Sequence, residues 1–435
     1  MFKVLKFGGS SMADANQYKK VKEIVCAEES RKVVVVSAAG KRFKDDHKIT
    51  DLLYLCYAHI QYGVDYGSIF DIIEKRYIEI RDDLKLDLDI ESVLKAIREK
   101  INKNITEDEL VSRGEYLSAM LLASYLGYKF VDATEWLTFK FDGSIDTEKS
   151  YAKLQNIPYE KGIVIPGFYG IMPNATIKTM TRGGSDITGA LAAAALKADV
   201  YENWTDVSGV LMADPRIVDN PSPIKHITYD ELRELSYMGA QVLHEGTIFP
   251  VKKANITLNI RNTNDPQNPG TLIMKECNDE GDTSLISGVT GRHGFTIINV
   301  SKHGMSAAVG TLAQISSIFA KYGVAIEYAP SSIDTFSFVV ASSAVKDNLY
   351  SIISEIEHDI KPSKIDVVDE IAIIAVVGRK MAFKPGVSGR LFAALGSNGI
   401  NIRMISQGPD ERNIIVGVDN KDYENTIRVL YDSFK

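Results

Sequence analysis

The feature that most narrows the folds open to this chain is a duplication in its last third. At an offset of 76 residues, Phe295-Thr296-Ile297-Ile298-Asn299-Val300 lies on Ile371-Ala372-Ile373-Ile374-Ala375-Val376, and Met305 lies on Met381. Ile315 then falls on Leu391, Phe319 on Leu395, Gly323-Val324-Ala325-Ile326 on Gly399-Ile400-Asn401-Ile402, and Phe338-Val339-Val340 on Ile414-Ile415-Val416. Each copy reads strand, helix, glycine turn, strand, strand, helix, the βαββαβ order of a small ferredoxin-like domain. An offset held through strands and helix alike points to two homologous modules, over residues 284–366 and 367–435.

Residues 1–283 are patterned differently. A strand ending at Phe7, a Gly8-Gly9-Ser10-Ser11 turn, a helix through Val21, Ile24 and Val25, and a strand Val33-Val34-Val35-Val36 make a βαβ unit. The second strand is apolar at consecutive positions, as expected of a parallel strand covered on both faces. A helix capped at Thr106, a strand ending at Pro166, a helix from Ser185 through the alanines at 192–195, and a strand from Val200 to Trp204 follow. Strands separated by helices imply an α/β layer fold. The turn-rich segment 262–270 is expected near the end of this domain.

Charge excludes some classes. A formal net charge of -7 without a long basic run gives no footing for nucleic acid or an anionic membrane. Three scattered cysteines, Cys26, Cys56 and Cys277, argue against a disulfide framework, and a reducing, cytoplasmic setting is expected. The seven histidines form no metal-ligand spacing, so no protein metal site is read, and His244 is taken as a packed or capping residue.

Three constellations bear chemistry. Lys6-Phe7-Gly8-Gly9-Ser10-Ser11 places a lysine at the end of a strand beside a glycine turn that opens a helix. Amides at such a corner attract phosphate, although a tight turn is the plainer reading. Thr181-Arg182-Gly183-Gly184-Ser185-Asp186 repeats the glycine pair, with a guanidinium fork suited to a carboxylate and an acid that otherwise only favours the helix dipole. The run from Thr205-Asp206 to Asp214-Pro215-Arg216 leaves a strand for a polar loop, where open α/β sheets collect ligands.

These runs, with Ser37-Ala38-Ala39-Gly40, Ser112-Arg113-Gly114-Glu115 and Gly239-Ala240-Gln241-Val242-Leu243-His244, follow one another as in aspartokinases, which the chain resembles over nearly its whole length. The resemblance implies an αβα sandwich of the amino-acid-kinase type followed by two ACT modules. It implies phosphorylation of the aspartate side-chain carboxylate by ATP with Mg²⁺, and feedback by an end-product amino acid, lysine or threonine. Lys6 and the Gly8 and Gly9 amides would stabilise the transferring phosphoryl, with Asp186 orienting the lysine. Arg182 would pair with the aspartate α-carboxylate, Glu115 and Thr50 would meet its ammonium, and Ser37 and Ser185 would line the pocket. Thr205, Asp206, Leu211, Asp214, Arg216, Gln241 and Val242 would hold the nucleotide. Met305, Ala308, Gly310, Glu327, Ser331 and Ser332 would hold the effector, at an interface between subunits of a homodimer or larger homo-oligomer.

The chain departs from the family's pattern in several places. Residues 41–48 look inserted ahead of Thr50; Leu211 stands where tyrosine is frequent, Gln241 where lysine is, Glu245 where proline is, and Ile333 where a second acid is. Rival readings are a kinase of the same fold for another acceptor, and a catalytically dead amino-acid sensor.

Overall fold

In the computed structural model, all residues are described except 182, 240–242, 244, 278–284, 380 and 409–411. The chain divides into two compact units.

The first unit is built on Met1–Val210 and Pro223–Tyr229, completed by strands that follow. Its strands are β1 (Lys3–Phe7), β2 (Arg31–Val36), β3 (Lys129–Phe130), β4 (Ile163–Pro166), the hairpin β5 (Tyr169–Ile171) and β6 (Ile177–Thr179), then β7 (Val200–Thr205), β8 (His226–Thr228), β9 (Thr257–Asn262) and β10 (Thr271–Met274). Eight of them form one sheet in the order β3-β4-β2-β1-β7-β9-β10-β8. Every neighbour pair is parallel except β9 with β10, whose joining turn is the 262–270 segment. Val33 to Val36 are each 0% exposed, so this strand is covered on both sides; full burial stabilises by roughly 1.5–3 kcal/mol per side chain.

β1 is flanked by β2 and β7, which places Lys6 between Val35 and Asn203 near the middle of the sheet. The helix Gly184–Ala195 lies close because its buried face is made of small residues. A Cβ added at Gly189 would come within 2.5 Å of the Tyr201 hydroxyl.

The second unit gathers Leu211–Ser222, residues 230–239 and the last third of the chain. Its strands are β11 (Gly288–Ser301), β12 (Ile326–Tyr328), β13 (Thr335–Ala341), β14 (Lys364–Val377), β15 (Met404–Ser406) and β16 (Asn413–Asp419), in one antiparallel sheet ordered β12-β13-β11-β14-β16-β15. The two copies are interlaced instead of lying end to end. Phe295 to Ser301 of β11 pairs with β13, while its earlier part, from Gly288 to His293, pairs with Val377 to Ala372 of β14. The second copy's fourth strand therefore precedes the first copy in the chain, and β14 crosses the boundary expected at 366/367.

The boundary at 283/284 also differs from the compact units. Ala213 and Val218 enter the core of the second copy, beside Leu391, Leu395 and Leu430. The Ser222 N–H donates to the Tyr431 hydroxyl at 2.9 Å, tying the 211–222 loop to that copy.

The repeat needs one correction. The helices Thr311–Lys321 and Val387–Ser397 keep the offset of 76, but Ile298 pairs with Phe338 whereas Ile374 pairs with Val416. Phe338 therefore corresponds to Val416, an offset of 78, because the second copy's turn ahead of β16 is two residues longer. Register exposes what hydrophobic pattern hides: a shift of two restores the same face.

Candidate active site

The loop Ser37-Ala38-Ala39-Gly40, at the carboxyl end of β2, knits the site together. The Ser37 N–H donates to the Phe7 carbonyl at 3.1 Å, the Gly40 N–H to the Gly9 carbonyl at 2.8 Å, and the Ala39 carbonyl accepts from the Ile49 N–H at 3.0 Å. The Ala38 N–H donates to the Glu115 carboxylate. Gly9 and Gly40 touch backbone to backbone, and a Cβ on Gly40 would lie 2.6 Å from the Gly9 carbonyl carbon.

Lys6 Nζ meets Asp186 Oδ1 at 2.5 Å, with their side chains 9% and 20% exposed. Asp186 sits in the first turn of Gly184–Ala195, where the positive end of the helix favours an anion. Asn203 Nδ2 donates to the same carboxylate oxygen at 3.0 Å, and the Tyr201 hydroxyl donates to the Asp186 carbonyl at 3.0 Å. Asn203 was not singled out from the sequence. It is 4% exposed and its Oδ1 has no partner, and the polar pair Glu202-Asn203 inside a buried parallel strand was the available signal.

Gly8 differs from expectation. Its N–H extends the ladder between β1 and β7 by donating to the Trp204 carbonyl at 3.0 Å, so that amide is spent on the sheet and does not face an anion. What glycine leaves there is room beside Lys6: a Cβ would stand 3.7 Å from Nζ.

Ser185 is buried against Gly167, where a Cβ would come within 2.6 Å of the Ser185 Cβ. Glu115, in the helix Arg113–Leu126, is 4% exposed and its Oε2 lacks a partner. Burial pushes its carboxyl up to about 7, against the pull of the Ala38 amide and of the Lys6 charge. Thr50 is half-buried at the start of the helix Ile49–Tyr62. The inserted segment before it is pinned by Asp46, which accepts from Arg76 Nη2 at 2.7 Å, while Arg76 Nη1 donates to the Gly40 carbonyl at 3.0 Å.

Thr205 ends β7 in the first unit and Asp206 follows it, the two joined by a hydroxyl to carboxylate bond of 3.1 Å. Half-buried Leu211 and the ion pair of Asp214 with Arg216, at 2.6 Å, belong to the second unit. Arg182, Gln241 and Val242, like His244, lie outside the described residues.

In the first regulatory copy Met305 is 1% exposed within the module's core, so its side chain is not presented at the surface, whereas Ala308, Gly310, Ser331 and Ser332 are exposed. The Glu327 side chain is 13% exposed, accepts from the Tyr237 hydroxyl at 2.5 Å and lies 3.9 Å from Arg292.

A buried lysine on a central strand, paired to an acid at a helix N-terminus, suits the stabilisation of a transferred phosphoryl group. The amino acid kinase family matches residues 1–262, and an ACT domain matches residues 374–434. The chain is 34% identical to aspartokinase 3 of Bacillus subtilis over 99% of this chain and 98% of that one. The crystal structure of Clostridium acetobutylicum aspartate kinase superposes with a TM-score of 0.91 at 45% identity, covering 100% of both chains. Escherichia coli aspartokinase III, solved with aspartate and ADP and separately with lysine and aspartate, is 26% identical, with TM-scores of 0.75 and 0.74 over 100% of this chain and 99% of that one. With a catalytic family spanning more than half its residues and an aspartokinase matched end to end, the chain belongs to the aspartokinases of the amino acid kinase family.

Proposed function

We propose that the chain transfers the γ-phosphoryl group of MgATP to the side-chain carboxylate of L-aspartate, giving an acyl phosphate, and is held in check by an end-product amino acid. The Lys6 to Asp186 pair carries the reading. The acceptor carboxylate is ionised at neutral pH, so no general base is needed, and catalysis reduces to positioning and charge neutralisation. Lys6 neutralises the phosphoryl oxygens, Asp186 aims it, and Asn203 holds Asp186 in place.

Ser37, Thr50, Glu115, Arg182 and Ser185 take the aspartate, and the Gly9 corner lines the phosphate side. Thr205, Asp206, Leu211, Asp214, Arg216, Gln241 and Val242 take the nucleotide. The Mg²⁺ travels with the polyphosphate. Among the described residues no three acids, cysteines or histidines gather to cage it, and Asp186 Oδ1 already serves Lys6 and Asn203.

The effector is lysine, held at Ala308, Gly310, Glu327, Ser331 and Ser332, with the Met305 side chain packed behind them in the core; lysine in the Escherichia coli complex and the half-buried Glu327 carboxylate support this. Pairing of regulatory modules into a cytoplasmic homo-oligomer completes the proposal.

The test is hydroxylamine trapping of the product with aspartate, glutamate and a nucleoside monophosphate as acceptors. Trapping is expected with aspartate and a loss of at least about a hundredfold in Lys6→Ala, as electrostatic stabilisers of this kind contribute on the order of 10²–10³. Equal turnover on glutamate, or an active Lys6→Ala, overturns the reading.

A further inference from the structure

The interlaced repeat carries an inference about the second copy. The sheet register makes the first copy's candidate effector positions transferable. Ser331 bridges to Phe336, and Ser332 donates to the Thr335 carbonyl at 2.8 Å; the ladder of Met404 to Ser406 against Gly417 to Ile415 runs on to the same places, Gln407 and Gly408. The 3-10 turns Met305–Ala307 and Met381–Phe383 and the helices behind them correspond at the offset of 76. Met305, Ala308, Gly310, Ser331 and Ser332 thus transpose onto Met381, Lys384, Gly386, Gln407 and Gly408. All five transposed residues line a single cavity of about 450 Å³. Two runs far apart in sequence, 381–386 and 407–408, thus meet in one hollow, as the matching runs of the first copy's candidate site would.

The hollow carries a cation where the first copy has none: Ala308 is replaced by Lys384, half-buried on the cavity wall. The sixth position, Glu327, transposes onto Arg403, which lies off that lining and pairs with Asp419 at 3.2 Å. Ser388 and Gln407 add a hydroxyl and an amide to the lining. A cationic side chain suits the first copy, whereas the second presents an ammonium flanked by neutral hydrogen-bond donors, the donor set of an anion site.

We propose that this cavity binds a small anion, a net-negative amino acid or free phosphate, so that the two copies read ligands of opposite charge. The proposal rests on the effector positions assigned above to the first copy.

The experiment follows methyl resonances of the full chain labelled with [methyl-¹³C]methionine, with Met381 and Met305 assigned through leucine variants. L-glutamate, inorganic phosphate and L-lysine are titrated in turn at constant ionic strength, which removes bulk screening as a cause. A saturable shift of Met381 with glutamate or phosphate is expected, weakened at least tenfold by Lys384→Glu, while lysine leaves Met381 in place. Glutamate alone or phosphate alone identifies the source, and either supports the proposal. No saturable Met381 shift with either anion, or an equal shift in Lys384→Glu, overturns it; Gln407→Ala serves if Lys384→Glu melts early. A Met305 resonance silent to lysine counts against the first copy's effector reading and is read separately in the same spectra.

Discussion

If Glu115 binds the substrate as proposed, one carboxyl ties that binding to stability. Its folded pKa, about 7, stands above the ordinary 4.5, so the proton is bound more tightly in the folded chain. The stability this contributes is full below about 4.5 and is lost as pH rises through about 7. Glu115→Gln is therefore expected to flatten the decline in Tm of the ligand-free chain over that window. In the proposed site the aspartate ammonium needs the ionised form, so KM for aspartate is expected to climb as pH falls below about 7. In Glu115→Gln that KM is raised about tenfold or more and loses this pH dependence. Calorimetry and initial rates over the same pH range check both halves; a steeper Tm decline in the variant sinks the assignment. The meeting of Lys6 with Asp186 was readable because glycine pairs mark both corners, whereas the part of Asn203 in it was not, because that depends on its register beside Lys6 across two strands far apart in sequence. Gly8 was misread for a related reason: sequence shows that an amide exists, not which carbonyl takes it.

The helix Tyr229–Tyr237 follows β8 directly and leads towards the residues assigned to the nucleotide. Its side chains are tied to the regulatory sheet by Arg412 with Asp230 at 2.5 Å, Asn413 with Glu234 at 2.5 Å, and Tyr237 with Glu327. The Glu327 acceptor, helped by burial, pushes the Tyr237 hydroxyl up to about 12, so it remains a donor at any working pH. In the proposed effector site an ammonium would compete with that hydroxyl for Glu327. Removing the competitor in Tyr237→Phe is expected to lower the half-inhibitory lysine concentration roughly tenfold, the value of a hydrogen bond to a charged group. The effect should vanish in a Glu327→Gln background, and inhibition curves for the four proteins decide. Hydrophobic period located the element types here, but the long turn before β16 was invisible to it, since a slip of two preserves the inward face.

At the scale of the molecule, the duplication was plain in the sequence while its interlacing was not, because apolar strands look alike whichever neighbour they pair with. His293 and Ala372 lie opposite each other where the second copy's fourth and first strands pair. Excising 295–370 and joining the ends with an Asn-Gly turn should therefore leave the second copy whole and melting cooperatively. A chain ended at residue 366 strands Gly288 to His293 without its partner and is expected to lose cooperative melting of the regulatory part. Circular dichroism melts compare them, and cooperative melting of that part in the truncated chain would falsify the interlaced assignment. Since β11 and β14 are each shared by both copies, no hinge separates one sensor from the other. A change of twist imposed on that ribbon at one end is felt at its far end. Two small molecules settling tens of residues apart would consult the same pair of strands, and each would alter the other's affinity by an equal factor.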